Sequence, residues 1–312
     1  MKYRIGSFNM KNMGFGSKKN YLKLAEIIKS ERLDVVSLQE ILSEGKALDF
    51  FISHSLPGWK SSWQEPGESA DPAKARDKRG EGYAFLWNPN RLKLADSVTL
   101  FGKREFAPRI VNSQGSDVSG SVSLFARAPY YARFIPVHGG FFELRLINIH
   151  LHFGDNSKAE IEKRKEEFDL LVNRVYPDIS LKRKYGNNRV AYTIAMGDYN
   201  LNLIRPRGKA GDQIDKNTYI PDVAEVNGQK ILTVQDALTS LKSKNNEEES
   251  SRGYSNNYDH FTFDVRTLEN DGISYKYKRI DAVRKYYNDD FDSYRCEISD
   301  HVPIVLELGF GD

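Results

Sequence analysis

The chain has 312 residues, 39% of them hydrophobic, with aromatic residues spread from end to end; this excludes a disordered polypeptide and provides for one large core or two modest ones. Its 46 basic residues nearly cancel 43 acidic ones, and the net charge of +3 excludes a polycation that binds nucleic acid through bulk charge alone. A lone cysteine, Cys296, excludes an internal disulfide, and with no apolar run long enough to span a bilayer and no apolar leader ahead of Tyr3, the expectation is a soluble cytoplasmic protein with residues 1–312 in one domain.

In chain order, the opening forty residues read strand, helix, strand. Tyr3 to Phe8 is the first strand. An amphipathic helix opens near Ser17, with Tyr21, Leu24, Ala25 and Ile28 at helical spacing, and Asp34 to Leu38 is the second strand. A right-handed crossover makes the two strands parallel and brings Asn9 and Glu40 to one edge of the sheet. Gly82 to Trp87 is a strand closed by the Asn88-Pro89-Asn90 turn, and Leu92 to Leu100 is expected to pair with it antiparallel, as a meander. Gln114 to Ser121 is a Gly/Ser-rich loop, followed by strands at Val122 to Ala126, Tyr131 to Pro136 and Phe141 to His150. After Asp155 the capping-box pattern Ser157-x-x-Glu160 opens a helix with Ile161, Phe168, Leu171, Val172 and Val175 on its apolar face. Val190 to Met196 is the next strand. A polar stretch from Asn202 to Asn257 contains an exposed excursion at Asn245 to Ser251, and strands resume at Phe261 to Val265, Lys278 to Val283 and Ile304 to Leu308. Many strands with few, scattered helices imply sheets packed face to face and covered outside by helices.

Polar residues collect where these strands end: Asn9, Glu40, His150 in INIHLH, Asp198 with Asn200 in MGDYN, and Ser299-Asp300-His301 before the last strand. Each alone has a dull explanation as a turn former or structural histidine. Together, at the ends of apolar strands, they would be costly to bury without mutual partners. The chemistry that suits them is phosphate-ester hydrolysis. Glu40 is the kind of hard oxygen ligand that Mg²⁺ or Mn²⁺ prefers, and there is no His/Cys grouping with zinc spacing. Aspartate can activate water, an Asn amide can donate to a phosphate oxygen, and histidine can move protons or offset charge.

The segments FNMKNMG, SLQE, EGYAFLWNP, NIHLHFGD, MGDYNLN, NNYDHF and ISDHVPI, in that order, resemble the endonuclease/exonuclease/phosphatase superfamily, and look closest to its deoxyribonuclease I-like branch. The resemblance implies a four-layer α/β sandwich, two packed mixed β-sheets flanked by helices. It also implies a Mg²⁺- or Mn²⁺-dependent phosphodiesterase, expected to be an endonuclease with DNA as the favoured substrate, RNA as the alternative and no membrane insertion. By the same resemblance Glu40 is a metal ligand with Asn9 and Asp300 beside it, Asp198 and Asn200 handle the water and the scissile phosphate, and His150 and His301 transfer protons. Glu81 matches the carboxylate partner of His150. For His301 the YDHF segment nominates Asp259, with Asp281 in RIDAV as the rival. Lys11, Arg127 and Arg79 match phosphate-binding positions, although Arg79 stands where the deoxyribonuclease branch has a tyrosine and Leu42 where it has a minor-groove arginine, so duplex docking of that kind is not implied.

The polar stretch after Asn202 and the basic loops around Arg79 and Arg104 are expected to shape substrate choice, while the basic clusters at Lys74 to Arg79, Lys103 to Arg109, Lys182 to Arg189 and Arg205 to Lys209 read as ordinary solvated surface unless they flank the cleft. A phosphatase or phospholipid phosphodiesterase of the same superfamily is the alternative, and a non-catalytic binding module on the same fold a remote one.

Overall fold

A computed structural model describes residues 1–14, 17–42, 45–64, 81–99, 125–155, 157–181, 189–203, 219–220, 223–243 and 253–311. In chain order its elements are β1 (Lys2–Met13), α1 (Tyr21–Ser30), β2 (Val35–Leu42), α2 (Lys46–Ser55), β3 (Lys60–Trp63), β4 (Glu81–Trp87), β5 (Leu92–Thr99), β6 (Tyr130–Pro136), β7 (Phe142–His150) and α3 (Lys158–Leu170). A π-helical turn (Leu171–Val175) leads into α4 (Tyr176–Leu181), β8 (Val190–Asp198), and the short β9 (Asn202–Leu203) and β10 (Tyr219–Ile220). Then come β11 (Val223–Val226), β12 (Gln229–Val234), β13 (Asp259–Asp264), α5 (Val265–Asn270), β14 (Ser274–Arg279), α6 (Ala282–Tyr287), α7 (Phe291–Glu297) and β15 (Ile304–Gly309).

Two mixed sheets face each other, one ordered β14-β15-β1-β2-β4-β3 and the other β11-β12-β13-β8-β7-β6-β5. The period of two decides which residues lie between them. Tyr3 and Ile5 of β1, Val35 of β2, Phe85 of β4, Leu144 and Leu146 of β7, Ile194 and Met196 of β8, Phe261 and Phe263 of β13, and Ile304 and Leu306 of β15 form the inter-sheet core. The alternate residues point outward. Phe8, Val36, Leu38 and Leu86 pack with Leu24, Ile28, Leu48 and Phe51 of α1 and α2 and with Val283 and Tyr294 of α6 and α7. Ile147, Ile149 and Ala195 pack under Phe168, Val172 and Ile179 of the α3 to α4 segment. Helix, sheet, sheet and helix make the four layers expected from the sequence.

β1 and β2 are parallel, with Asn9 opposite Gln39, as the crossover predicts. Several local expectations change. The first helix begins at Tyr21 because Asn20 is its cap, accepting from Lys23 N at 3.1 Å, whereas Ser17 N bonds Gly14 O in a turn. Ser157 does cap α3, accepting from Glu160 N at 3.4 Å, but the reciprocal half of the box is supplied by Asp155, whose Oδ1 accepts from Ser157 N at 2.8 Å. The Glu160 carboxylate instead meets His152 and Lys163.

The 82–87 and 92–100 strands do not pair as a meander. β4 joins β2 and β3, while β5 joins β6, so the Asn88-Pro89-Asn90 turn carries the chain from one sheet to the other. Tyr83, Phe85 and Trp87 of β4 and Leu92 of β5 enter the same inter-sheet core, and a turn of that length serves a sheet change as well as a hairpin. The strand expected over 278–283 lies earlier, at Ser274–Arg279, because Asp281 caps α6. Residues 125–127 are bends, and the rest of the 122–126 strand, together with the 114–121 loop and the 245–251 excursion, lies outside the described residues.

Candidate active site

The inter-sheet face turns polar at one end. Following the alternation beyond the apolar core, β1 continues to Ser7 and Asn9, β2 to Ser37 and Gln39, β7 to Asn148 and His150, and β8 to Asp198. Glu81 and Asp259 are the first residues of the antiparallel strands β4 and β13 at that same end. The register fixes them there, with His150 beside Asp198 and Asp198 opposite Asp259. Gly197 is required at this junction. Its φ is +150° and a Cβ there would meet Ile149 O at 1.8 Å, so β7 and β8 could not approach with any other residue.

Beneath the site an amide bridge joins the sheets. Asn148 Nδ2 donates to Leu38 O at 2.9 Å and Ala84 O at 3.1 Å, and Gln39 Nε2 donates to Asn148 Oδ1 at 2.7 Å. The sequence reading missed Asn148. Its signal was there, two residues before His150 on a strand with an apolar inner face.

Glu40 breaks the alternation. The register of β2 shifts between Leu38 and Ile41, and that of β1 between Asn9 and Met13. At these bulges Lys11, Asn12 and Glu40 have φ of +44°, +57° and +57°, left-handed backbone that non-glycine residues rarely adopt. The bulge re-aims the Glu40 carboxylate, so that Oε1 accepts from Asn9 Nδ2 at 2.8 Å and Oε2 from Asn12 N at 3.0 Å. Asn9 Nδ2 also donates to Asp198 Oδ2 at 2.9 Å, making one amide the link between the two carboxylates.

Asp198 is the centre. Its Oδ1 accepts from Asn200 N at 2.9 Å, and its Oδ2 lies 3.7 Å from His150 Nε2 and 3.6 Å from His301 Nε2. Burial raises its carboxyl to about 7, with the nearby His301 opposing the shift and Asp259 adding to it. His301 Nδ1 meets Asp259 Oδ2 at 2.8 Å. Burial disfavours its charged form, but Asp259 and Asp198 outweigh that and raise the imidazole to about 10. Ser299 holds the approach, donating to Asn9 O at 2.7 Å and accepting from His301 N at 3.1 Å.

Of the two carboxylates nominated for His301, Asp259 is therefore the one in contact. Asp281 accepts from the Tyr254 hydroxyl at 2.5 Å and from Arg279 Nη2 at 3.2 Å while capping α6.

His150 is placed differently. Its Nδ1 is 3.6 Å from Glu81 Oε2, and that oxygen is 2.6 Å from Arg127 Nη2. Burial, the Arg127 cation and charged His301 together hold the imidazole well below its ordinary value. Asn200 Nδ2 donates to Leu151 O at 3.0 Å and has a second N–H to offer. Lys11 Nζ lies 3.0 Å from Asp300 Oδ2, at the cleft rim. Arg79 lies outside the described residues, as do the other basic clusters apart from Arg189.

These groups line a cleft of about 630 Å³. Glu40, Glu81 and His150 each offer one ligand atom within 4.8 Å of the others, as do Asp198, Asp259 and His301. Asp300 falls in neither group. Burial and the neighbouring Glu81 raise Glu40, the mark of carboxylates crowded without enough positive charge. A hard divalent cation held through oxygen fits that shortage.

No protein-family model matches the chain and no curated protein matches it. Solved structures do. An endonuclease/exonuclease/phosphatase family protein from Bacteroides thetaiotaomicron superposes with a TM-score of 0.56 at 15% identity over 100% of this chain and 99% of that one. The chain has the endonuclease/exonuclease/phosphatase fold. D. rerio TDP2 complexed with single-strand DNA product matches at TM-score 0.57 and 14% identity over 99% of both chains. ANGEL2, a 2′,3′-cyclic phosphatase, matches at 0.57 and 11% over 99% of this chain and 95% of its own. Within this fold the cleft lies at one end of the paired sheets.

Proposed function

We propose that the protein, acting as one domain over its length, is a Mg²⁺- or Mn²⁺-dependent phosphodiesterase that cleaves nucleic acid, with DNA favoured. The observation that carries this is the position of Asp198, within 4 Å of two histidines whose protonation is set apart in opposite directions. A carboxylate near 7 suits removal of a proton from an attacking water. Charged His301 donates toward the phosphate and offsets the charge that builds on it, while neutral His150 presents Nε2 to the same region. Asn200 offers its second N–H to a phosphate oxygen, and Lys11 and Arg127 pair with the phosphodiester anion. Arg79 is assigned the same phosphate-binding role.

Glu40, with Asn9 orienting it and Asp300 nearby, would hold the divalent ion, which when bound polarises the phosphate and offsets its charge. The absence from the described residues of any helix long and apolar enough to cross a membrane suits a substrate met in water.

The test is cleavage of plasmid, linear duplex, single-stranded DNA and RNA with Mg²⁺, Mn²⁺ or EDTA, with His150→Ala alongside. Metal-dependent cleavage that the variant loses is expected. A folded, metal-supplied protein that cleaves none of them refutes the assignment. The likeness to ANGEL2 makes a terminal or cyclic phosphate the second reading, read out in the same assay as phosphate release without chain scission.

A further inference from the structure

The segment leaving β7 has more support than a strand-to-helix connection needs. Leu151 N donates to Asp198 O at 2.9 Å, His152 N to Glu167 Oε2 at 2.6 Å, and Arg164 Nη2 to Gly154 O at 2.7 Å and Asp155 O at 2.5 Å. Arg164 and Glu167 stand on α3 and are only 2% and 7% exposed. Burying charge is costly, and here much of it is committed to fixing main chain. Glu167 Oε1 also accepts from Ala126 N at 2.5 Å, so one buried carboxylate ties this segment to the residue before Arg127.

In the middle of the clamped stretch stands Phe153, 69% exposed and lining the cleft with Glu40, His150 and His301. Single exposed apolar side chains are ordinary on loops. This one is held on a backbone tied down on both sides, at the mouth of a polar cleft. Tyr258 lines the same cleft and senses the charges of Arg164 and Asp198.

We propose that Phe153 is a stacking platform for the nucleobase next to the scissile phosphate, with Arg164 and Glu167 as the positioning residues that hold it. The inference rests on the nucleic-acid reading above and adds what the cleft recognises besides phosphate. Every nucleobase has a flat π face, so such a platform binds single-stranded substrate without choosing sequence. The clamp removes the cost of ordering the loop at the moment of binding.

Short single-stranded oligonucleotides with either a normal nucleoside or an abasic tetrahydrofuran beside the cleaved bond test this. For the normal oligonucleotide, Phe153→Ala is expected to raise KM on the order of ten- to a hundredfold with little change in kcat, and Phe153→Trp to restore it. Wild type and Phe153→Ala should cleave the abasic substrate alike. Glu167→Gln should show a smaller KM rise with the same dependence on the base. Phe153 is exposed, so unchanged thermal unfolding of Phe153→Ala is the check on folding. Equal losses on both substrates, or no loss on either, overturns the platform while leaving the phosphodiesterase intact. Wild type that cleaves neither oligonucleotide overturns the platform, and overturns the reading beneath it as well if plasmid, linear duplex and RNA are also left intact.

Discussion

The two histidines of the cleft share a chemistry and a central neighbour, yet their surroundings drive them apart. His301 has Asp259 at 2.8 Å and a pKa raised to about 10. His150 has its carboxylate at 3.6 Å, with Arg127 closer to that carboxylate than the ring is, and burial lowers it. A carboxylate near a histidine is therefore not a sufficient description. Burial disfavours charge on both rings; His301 overcomes it through Asp259 and Asp198, whereas at His150 the Arg127 cation and charged His301 add to it.

Asp198 joins both halves, so its removal should cost most. Asp198→Ala is expected to lower kcat/KM at least about 10³-fold in steady-state cleavage, more than the loss of either histidine partner. A variant that keeps its activity would break the assignment of Asp198 as the shared base.

The next step separates the halves. Asp259→Asn removes a short charged contact and should cost roughly ten- to a hundredfold, whereas Glu81→Gln should cost less than about tenfold, because Glu81 already serves Arg127. Equal losses would mean that the longer contact closes when substrate binds.

A pH experiment on metal-free protein sharpens the contrast without catalysis. Because the folded pKa of His301 lies above its ordinary 6.5, its stabilising contribution is complete below pH 6.5 and is lost as pH rises through about 10. Asp198, raised from 3.8 to about 7, loses its contribution in a lower window, between those two values. The unfolding temperature in EDTA should therefore fall between pH 6.5 and 10, and His301→Ala should flatten that slope.

The smallest effect concerns Arg127. Arg127→Ala removes a cation that holds His150 neutral, so the His150 imidazole pKa should rise when followed by NMR, with Glu81 free to draw its proton. No movement would leave burial and charged His301 as the causes.

Much of this was legible in residues alone. The alternation in NIHLH and in the strand ending at Asp198 already places polar residues on the face that is apolar earlier in each strand, and a side chain's face depends only on strand parity. Local signals were less reliable where two residues compete for one role. The helix expected to open near Ser17 starts at Tyr21 under an Asn20 cap, and Asp155 took half of the box expected of Glu160. The YDHF segment favoured Asp259 over its rival Asp281 in RIDAV, and it is Asp259 that meets His301, while Asp281 caps α6.

The sequence by itself determined the strand parities, and with them the sandwich, the apolar layers and the polar end where Asn9, His150 and Asp198 gather. Tertiary structure alone decided that the chain changes sheets after β4, that bulges turn Glu40 back into the cleft, and that Arg127 takes Glu81 from His150. Parity is carried by each strand separately, whereas register shifts and charge competition exist only once distant segments lie within a few ångströms of one another.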